Sequence, residues 1–357
     1  MTPALSTYLN ILRVFGALAV FFGHMCIWNA SCGPVAWLPN LGSDGVVTFF
    51  VLSGYVVAYA AEEKDKTLRR FAVNRCARIY SVMLPALLLT LVFEYIGIRD
   101  FPDAYNTVYD RYQLARLWLY LPMWLSFTSE FWSYNEPIFT NGAFWSLCFE
   151  VWFYVFFTVG LFTRGRRRLA LLAGVALLVG PKICALFPLW WLGALAYRRQ
   201  RTLSLRPAPA RVLLALSLAG FVALKATGTD TLATEAVNAA LGQFPLTSMQ
   251  MAWLLPGYLL LALCIAGSIF AVRFAALDGL ARLAAPVGVV ASFTFTIYLI
   301  HLPALKFFVA LGFASMLWPA LLTLAIVLVL GLLTERRLGP WRAAFSALFA
   351  AAERVRR

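Results

Sequence analysis

A chain of 357 residues that is 62% hydrophobic and 13% charged, with a mean hydropathy of +0.78, is not an ordinary soluble domain. Its formal net charge of +14 suggests nucleic acid as a partner. The basic residues, however, cluster in short loops between apolar runs, as the positive-inside rule requires of a membrane protein, and this distribution argues against nucleic acid.

The apolar runs predict an all-α, polytopic integral membrane protein with about ten transmembrane helices. In chain order they fall at about 8–28, 45–61, 79–98, 144–163, 168–181, 184–197, 211–225, 250–270, 286–307 and 315–334. With both termini in the cytoplasm, 23 of the 30 Lys and Arg lie on cytoplasmic loops, and Arg13 lies inside the first span. The first run lacks the basic start and the small-residue cleavage site of a secretory signal, so it reads as a retained helix. Segment 114–127, with Trp118, Tyr120, Pro122 and Trp124, suits an interfacial or re-entrant position. Residues 1–335 read as one transmembrane domain and 336–357 as a short basic cytoplasmic tail, with no internal repeat. The cysteines show no zinc spacing, and no metal is expected. Cys148, Cys184 and Cys264 lie in apolar runs, where cysteine acts as a small hydrophobe, and Cys26 and Cys32, on the outer side, are the disulfide candidates.

The informative residues are the ionisable groups inside the spans, where a charge is costly and marks function by default. Arg13 and His24 are eleven residues apart in the first run. At ~100° per residue they fall within roughly 20° of one helix face, about 16 Å apart along the axis. Counting depth along each span puts His24, His301 and Glu150 in the outer half of the bilayer, with Asp44 at the mouth of the second helix. Arg13, Arg75 and Arg78 form a second, inner layer. Arginines near the cytoplasmic face suit phosphate groups. A histidine in a partly dry site suits proton removal from an attacking hydroxyl, with Glu150 or Asp44 to orient the ring.

Five stretches, in order, resemble the signatures of the acyltransferase 3 family of integral membrane O-acyltransferases. Arg13 to His24 is similar to its Arg-x10-His motif, and 45–54, GVVTFFVLSG, to its Gly-Val-Asp-x-Phe-Phe-Val-x-Ser-Gly stretch. Segment 71–79, FAVNRCARI, resembles its arginine-rich entry to the third helix. Segment 145–154, WSLCFEVWFY, resembles its Trp-Ser-Leu-x-x-Glu-Glu motif, and 294–303, TFTIYLIHLP, its late Tyr-Leu-x-His-x-Pro motif. The chain departs from that pattern at Val47 and Val151, which replace acidic residues, at Ser81, which replaces a proline, and at Phe295, which replaces a tyrosine. Asp44 is the candidate to replace the acid missing at Val47.

The resemblance implies a stand-alone acyltransferase of the cell membrane, as in the bacterial inner membrane. It would hold no bound cofactor and use an acyl-CoA, first of all acetyl-CoA, as donor. The acceptor would be a hydroxyl of an envelope or exported carbohydrate or lipid-linked sugar. His24 becomes the general base or a transient acyl acceptor, with Arg13 and Glu150 as catalytic partners. Arg75 and Arg78 become donor-phosphate ligands, and His301, Asp44, Trp145 and Tyr298 acceptor-site or supporting residues.

Architectural readings stand beside these. His24 and His301 can bond neighbouring helices, Glu150 can form an ion pair, Arg75 and Arg78 can be topogenic anchors, and Trp145 and Tyr298 can be packing residues. Intramembrane His, Glu and Arg also build the proton relays of transporters, so a proton-coupled flippase of a glycan precursor is the alternative class. The outer loops 29–44, 99–143 and 226–249 are where an acceptor would bind, with Trp132, Tyr134 and Glu136 as candidates.

Overall fold

A computed structural model describes residues 1–25, 41–105, 113–240, 254–313 and 315–355. Cys26 and Cys32, and with them the disulfide expectation, lie outside the described residues. In hydrocarbon a backbone must bond to itself, and the described parts of these apolar runs are largely helical. In order they are α1 (Pro3–Met25), α2 (Leu41–Tyr59), α3 (Leu68–Asp100), α4 (Leu117–Leu125), α5 (Phe144–Phe162), α6 (Gly165–Val179) and α7 (Pro181–Thr202). Then follow α8 (Pro207–Thr227), α9 (Thr229–Ala240), α10 (Leu255–Val272), α11 (Ala284–Ala291), α12 (Thr294–Ala310), α13 (Leu317–Leu333) and α14 (Leu338–Val355).

Seven helical segments among the described residues are long and apolar enough to cross a membrane, one of them the continuous stretch Asp278–Ala310 that holds α11 and α12. The pair Leu317–Leu333 and Leu338–Arg354, bent by 55°, would make an eighth. Each of the ten expected spans coincides with a helix, but not all qualify. Helix α6 has 15 residues and α13 has 17, while α7 carries Lys182 near its start and Arg198, Arg199 and Arg201 near its end. The break between α6 and α7 falls at Gly180, whose φ of 84° favours glycine, followed by Pro181 at the start of the next helix. Helix α4, nine residues long with Trp118 exposed, is too short to cross.

Helix α2 is the most enclosed of the seven and lies between α1 and α7. Glycines permit both contacts. A Cβ on Gly45 would come within 2.6 Å of the Gly16 carbonyl, and one on Gly54 within 1.9 Å of the Trp190 carbonyl. The backbones therefore approach as in small-residue membrane interfaces.

Past residue 335 the chain forms α14, which packs along α3. The Arg69 guanidinium reaches Glu353 at 3.3 Å, and the Tyr80 and Phe345 rings are 5.4 Å apart. At the opposite end, segment 126–143 is fastened by a buried ion pair. Lys182 Nζ lies 2.5 Å from Glu130 and donates to the Tyr134 carbonyl, while Trp132 donates to the carbonyls of Val179 and Leu177. Burial pushes the Glu130 carboxyl up to about 7, with Lys182 opposing the shift. Trp132 and Tyr134 are exposed, and Glu136 is partly buried.

Candidate active site

Helices α1 and α12 bring the two histidines of the chain together. His24 Nδ1 lies 2.8 Å from His301 Nε2, and His301 Nδ1 lies 3.0 Å from the Ile297 carbonyl and 2.9 Å from that of Tyr298. Ring centroids 5.0 Å apart, with planes 14° from parallel, describe two nearly coplanar rings meeting edge to edge and not a face-to-face stack. The tautomers follow from the bonding partners. Carbonyls only accept, so His301 Nδ1 carries hydrogen and a neutral His301 offers Nε2 as an acceptor. His24 must then donate from Nδ1, which leaves the lone pair of its Nε2 free. Neither ring has a carboxylate partner among the described residues.

The segment carrying His301 is shaped by Pro303, which has no N–H to give to the carbonyl four residues earlier. That carbonyl, on Leu299, instead accepts from Asn141 Nδ2 at 2.8 Å. Asn141 thereby ties the fastened loop to α12 close to His301.

A cavity of about 980 Å³ opens between α1, α2, α3, α5, α12 and the start of α14. Its lining includes Arg13, Arg75, Arg78, Arg342, Ser53, Glu150 and Tyr298, but neither histidine. Arg78 donates to Glu335 at 2.6 Å, and the other oxygen of Glu335 accepts from Thr296 N and Oγ1 at 3.0 and 2.9 Å. Arg75 lies 4.0 Å from Asp65 and keeps a buried Nε without a hydrogen bond. Arg13 makes no hydrogen bond or ion pair among the described residues, although Arg78, Glu335 and Glu150 are its electrostatic neighbours.

Glu150 lies in this cavity with Arg13, not in a layer with the histidines, so depth counted along its helix misassigned its company. Its Oε1 accepts from Ser53 Oγ at 2.5 Å and from the Tyr154 hydroxyl one turn along α5, while Trp190 Nε1 donates to Ser53 Oγ at 3.1 Å. The close approach at Gly54 brings the Trp190 indole onto Ser53. Asp44 does not join the histidines either. It pairs with Lys225 at 3.2 Å, and Lys225 also holds Asp230 at 2.8 Å. The cost of a buried carboxylate is met there by a lysine 181 residues away.

Trp145 packs edge-on against Phe50 and Phe149 and does not line the cavity. Tyr298 touches both regions. Its hydroxyl meets Ser146 Oγ at 2.5 Å on the cavity wall, and its carbonyl helps to hold His301. Ser53, Tyr154 and Glu335 carry contacts that the sequence reading did not assign. The first two lie inside the quoted motifs, whereas Glu335 gave no signal at the end of the last apolar run.

These features define a multi-pass membrane protein whose helix bundle encloses an arginine-lined cavity beside a linked histidine pair. The profile of the acyltransferase 3 family, described as an acyltransferase domain, matches residues 6–334, and the chain belongs to that family. It is similar to the exopolysaccharide production protein ExoZ of Rhizobium meliloti (strain 1021), 28% identical over 148 residues, or 41% of this chain and 43% of the relative. It is also similar to the acyltransferase MdmB of Streptomyces mycarofaciens, 32% identical over 152 residues, or 41% of this chain and 36% of the relative. The matched stretch thus spans under half the length of each curated relative. No solved structure matches.

Proposed function

We propose that this protein is a membrane O-acyltransferase that moves an acyl group, first of all acetyl, from acyl-CoA to a hydroxyl of an exported carbohydrate or lipid-linked sugar. Its setting would be a bacterial inner membrane, with the arginine-rich end in the cytoplasm. The observation that carries the reading is His24, whose Nδ1 meets His301 Nε2 and whose own Nε2 makes no hydrogen bond among the described residues, beside a cavity lined by arginines.

In this reading Arg75 and Arg78 hold the donor's phosphates, for which Arg75 has an unbonded Nε and Arg78 is kept in place by Glu335. The acceptor hydroxyl attacks the thioester carbonyl as His24 Nε2 takes its proton. The new C–O bond forms, the C–S bond breaks, and the imidazolium returns its proton to the departing thiolate, releasing free CoA thiol. His301 stabilises that imidazolium by accepting from Nδ1, the place a carboxylate takes in soluble triads. The family membership supports acyl chemistry, and the name of the ExoZ relative supports a polysaccharide acceptor.

The test is thiol release from acetyl-CoA by the purified protein in proteoliposomes, with a mass comparison of envelope carbohydrates from cells with and without it. His24→Ala should lower turnover by about 10²- to 10⁴-fold, the usual contribution of a general base. Full acyl transfer by folded His24→Ala, or solute flux without acyl-CoA dependence, would overturn the reading.

A further inference from the structure

Arg13 and Glu150 present opposite charges to one cavity and form no ion pair. Each sits well inside its helix, Arg13 at the eleventh of 23 residues in α1 and Glu150 at the seventh of 19 in α5. In an apolar bundle two such charges should collapse onto each other unless something prevents it, because unpaired buried charges are costly. Here the carboxylate is restrained. Ser53 and Tyr154 both bond to Oε1, and Trp190 holds Ser53 from behind. Oε2 accepts no hydrogen bond among the described residues, and the side chain lines the cavity.

The gap therefore asks for a ligand segment that gives a hydrogen to Glu150 and an acceptor to Arg13, and that carries no net charge. Phosphates satisfy only the arginine and are repelled by the carboxylate. An amine satisfies only the carboxylate. Secondary amides meet both demands, since each carries one N–H and one C=O.

We propose that Glu150 reads the amide arm of the acyl donor, accepting an amide N–H on Oε2, while Arg13 donates to an amide carbonyl of the same arm. Ser53 is the positioning residue that keeps Oε2 turned to the arm. This inference rests on the reading of the cavity as a thioester-donor site. It removes Glu150 from proton transfer and assigns it to donor recognition, so the reacting proton belongs to the histidine pair alone.

The experiment compares wild type, Glu150→Gln and Ser53→Ala with two donors. One is acetyl-CoA, and the other is an acetyl thioester of a simple alkyl thiol without amides. With acetyl-CoA, Glu150→Gln should lower kcat/KM by about 10- to 100-fold, the range for losing a charge-assisted hydrogen bond, and Ser53→Ala should fall between. With the amide-free donor the three proteins should agree within about twofold. An equal loss with both donors would mean that Glu150 serves structure or proton transfer, and no loss with either would remove it from the site; both overturn the inference. If wild type releases no thiol from acetyl-CoA, the donor reading itself fails, which is a separate outcome.

Discussion

Replacing His301 by leucine removes the acceptor for His24 Nδ1 while keeping an apolar side chain in a fully buried position. Two losses follow. The His24 ring is free to turn or to adopt the other tautomer, and the imidazolium formed during transfer loses its partner. A hydrogen bond to a charged group contributes about 1.5–3 kcal/mol, which converts to a fall in kcat of roughly 10- to 100-fold. That is smaller than the loss on removing His24, because the base itself remains. KM for acetyl-CoA should stay within about twofold, since His301 does not line the donor cavity. His301→Gln, which can place an amide oxygen near the former Nε2, should recover part of the rate. The assay is initial-rate thiol release at saturating donor, with size-exclusion profiles to show that each variant is folded. A folded His301→Leu protein with wild-type kcat would refute the argument that His301 sets the state of His24.

Three further outcomes follow from named contacts. Arg75→Ala should raise KM for acetyl-CoA by about 10- to 100-fold with little change in kcat, and an unchanged KM would remove Arg75 from donor binding. Lys182→Met leaves Glu130 without its counter-charge at a site where both side chains are 1% exposed, and breaking such a pair costs about 3–5 kcal/mol. With Lys182 opposing the rise, burial holds the wild-type Glu130 carboxyl at about 7, so removing the lysine lifts it further: wild type stops losing stability once pH passes about 7, while the variant goes on losing it as pH climbs towards its own higher value. Its melting temperature should therefore fall further behind wild type above about pH 7 than below it, and a pH-independent deficit would contradict this. Gly54→Val puts a Cβ 1.9 Å from the Trp190 carbonyl, forcing α2 and α7 apart; the loss should be at least about 1–3 kcal/mol by thermal melting, and a wild-type melting temperature would refute the close approach.

Helix positions were legible because an apolar run in lipid has one way to satisfy its backbone. The number of crossings was less legible. The apolar runs 168–181 and 184–197 read as two spans, but the helices there are a 15-residue one and one tipped with charge, divided at Gly180 and Pro181, and hydropathy alone does not tell these from full crossings. The chemistry-bearing residues were visible for the same reason, since a charge inside a span stands out. Their partners were only partly so. Depth along the spans put His24 and His301 in one layer, and they do meet across 277 residues, whereas nothing in the sequence pointed from Asp44 to Lys225, 181 residues away. Depth counted along one axis put Glu150 with the histidines, but Glu150 lines the cavity that Arg13 also lines, where Ser53 of α2, backed by Trp190 of α7, holds it. Ser53 stood inside a recognised motif, and only the packing gave it a task.

The absence of a carboxylate beside His24, among the described residues, is consistent with where the pair sits. An aspartate in that place would have to remain ionised in an apolar bundle without the cation that three other buried carboxylates have: Asp44 pairs with Lys225, Glu130 with Lys182 and Glu335 with Arg78. A second histidine fixes the tautomer without bringing a charge, so the resting pair costs little and charge develops only during transfer. The same economy explains why the cationic and neutral parts are segregated. Arginines close to the histidines would disfavour the imidazolium by like-charge repulsion, which at 4 Å amounts to roughly 4 kcal/mol at an effective dielectric near 20. Tyr298 is the element common to both parts, with its hydroxyl on the cavity wall beside Ser146 and its carbonyl on His301. A donor that displaces the Tyr298 hydroxyl from Ser146 would therefore act on α12 at the residue that holds His301, and through it on the orientation of His24.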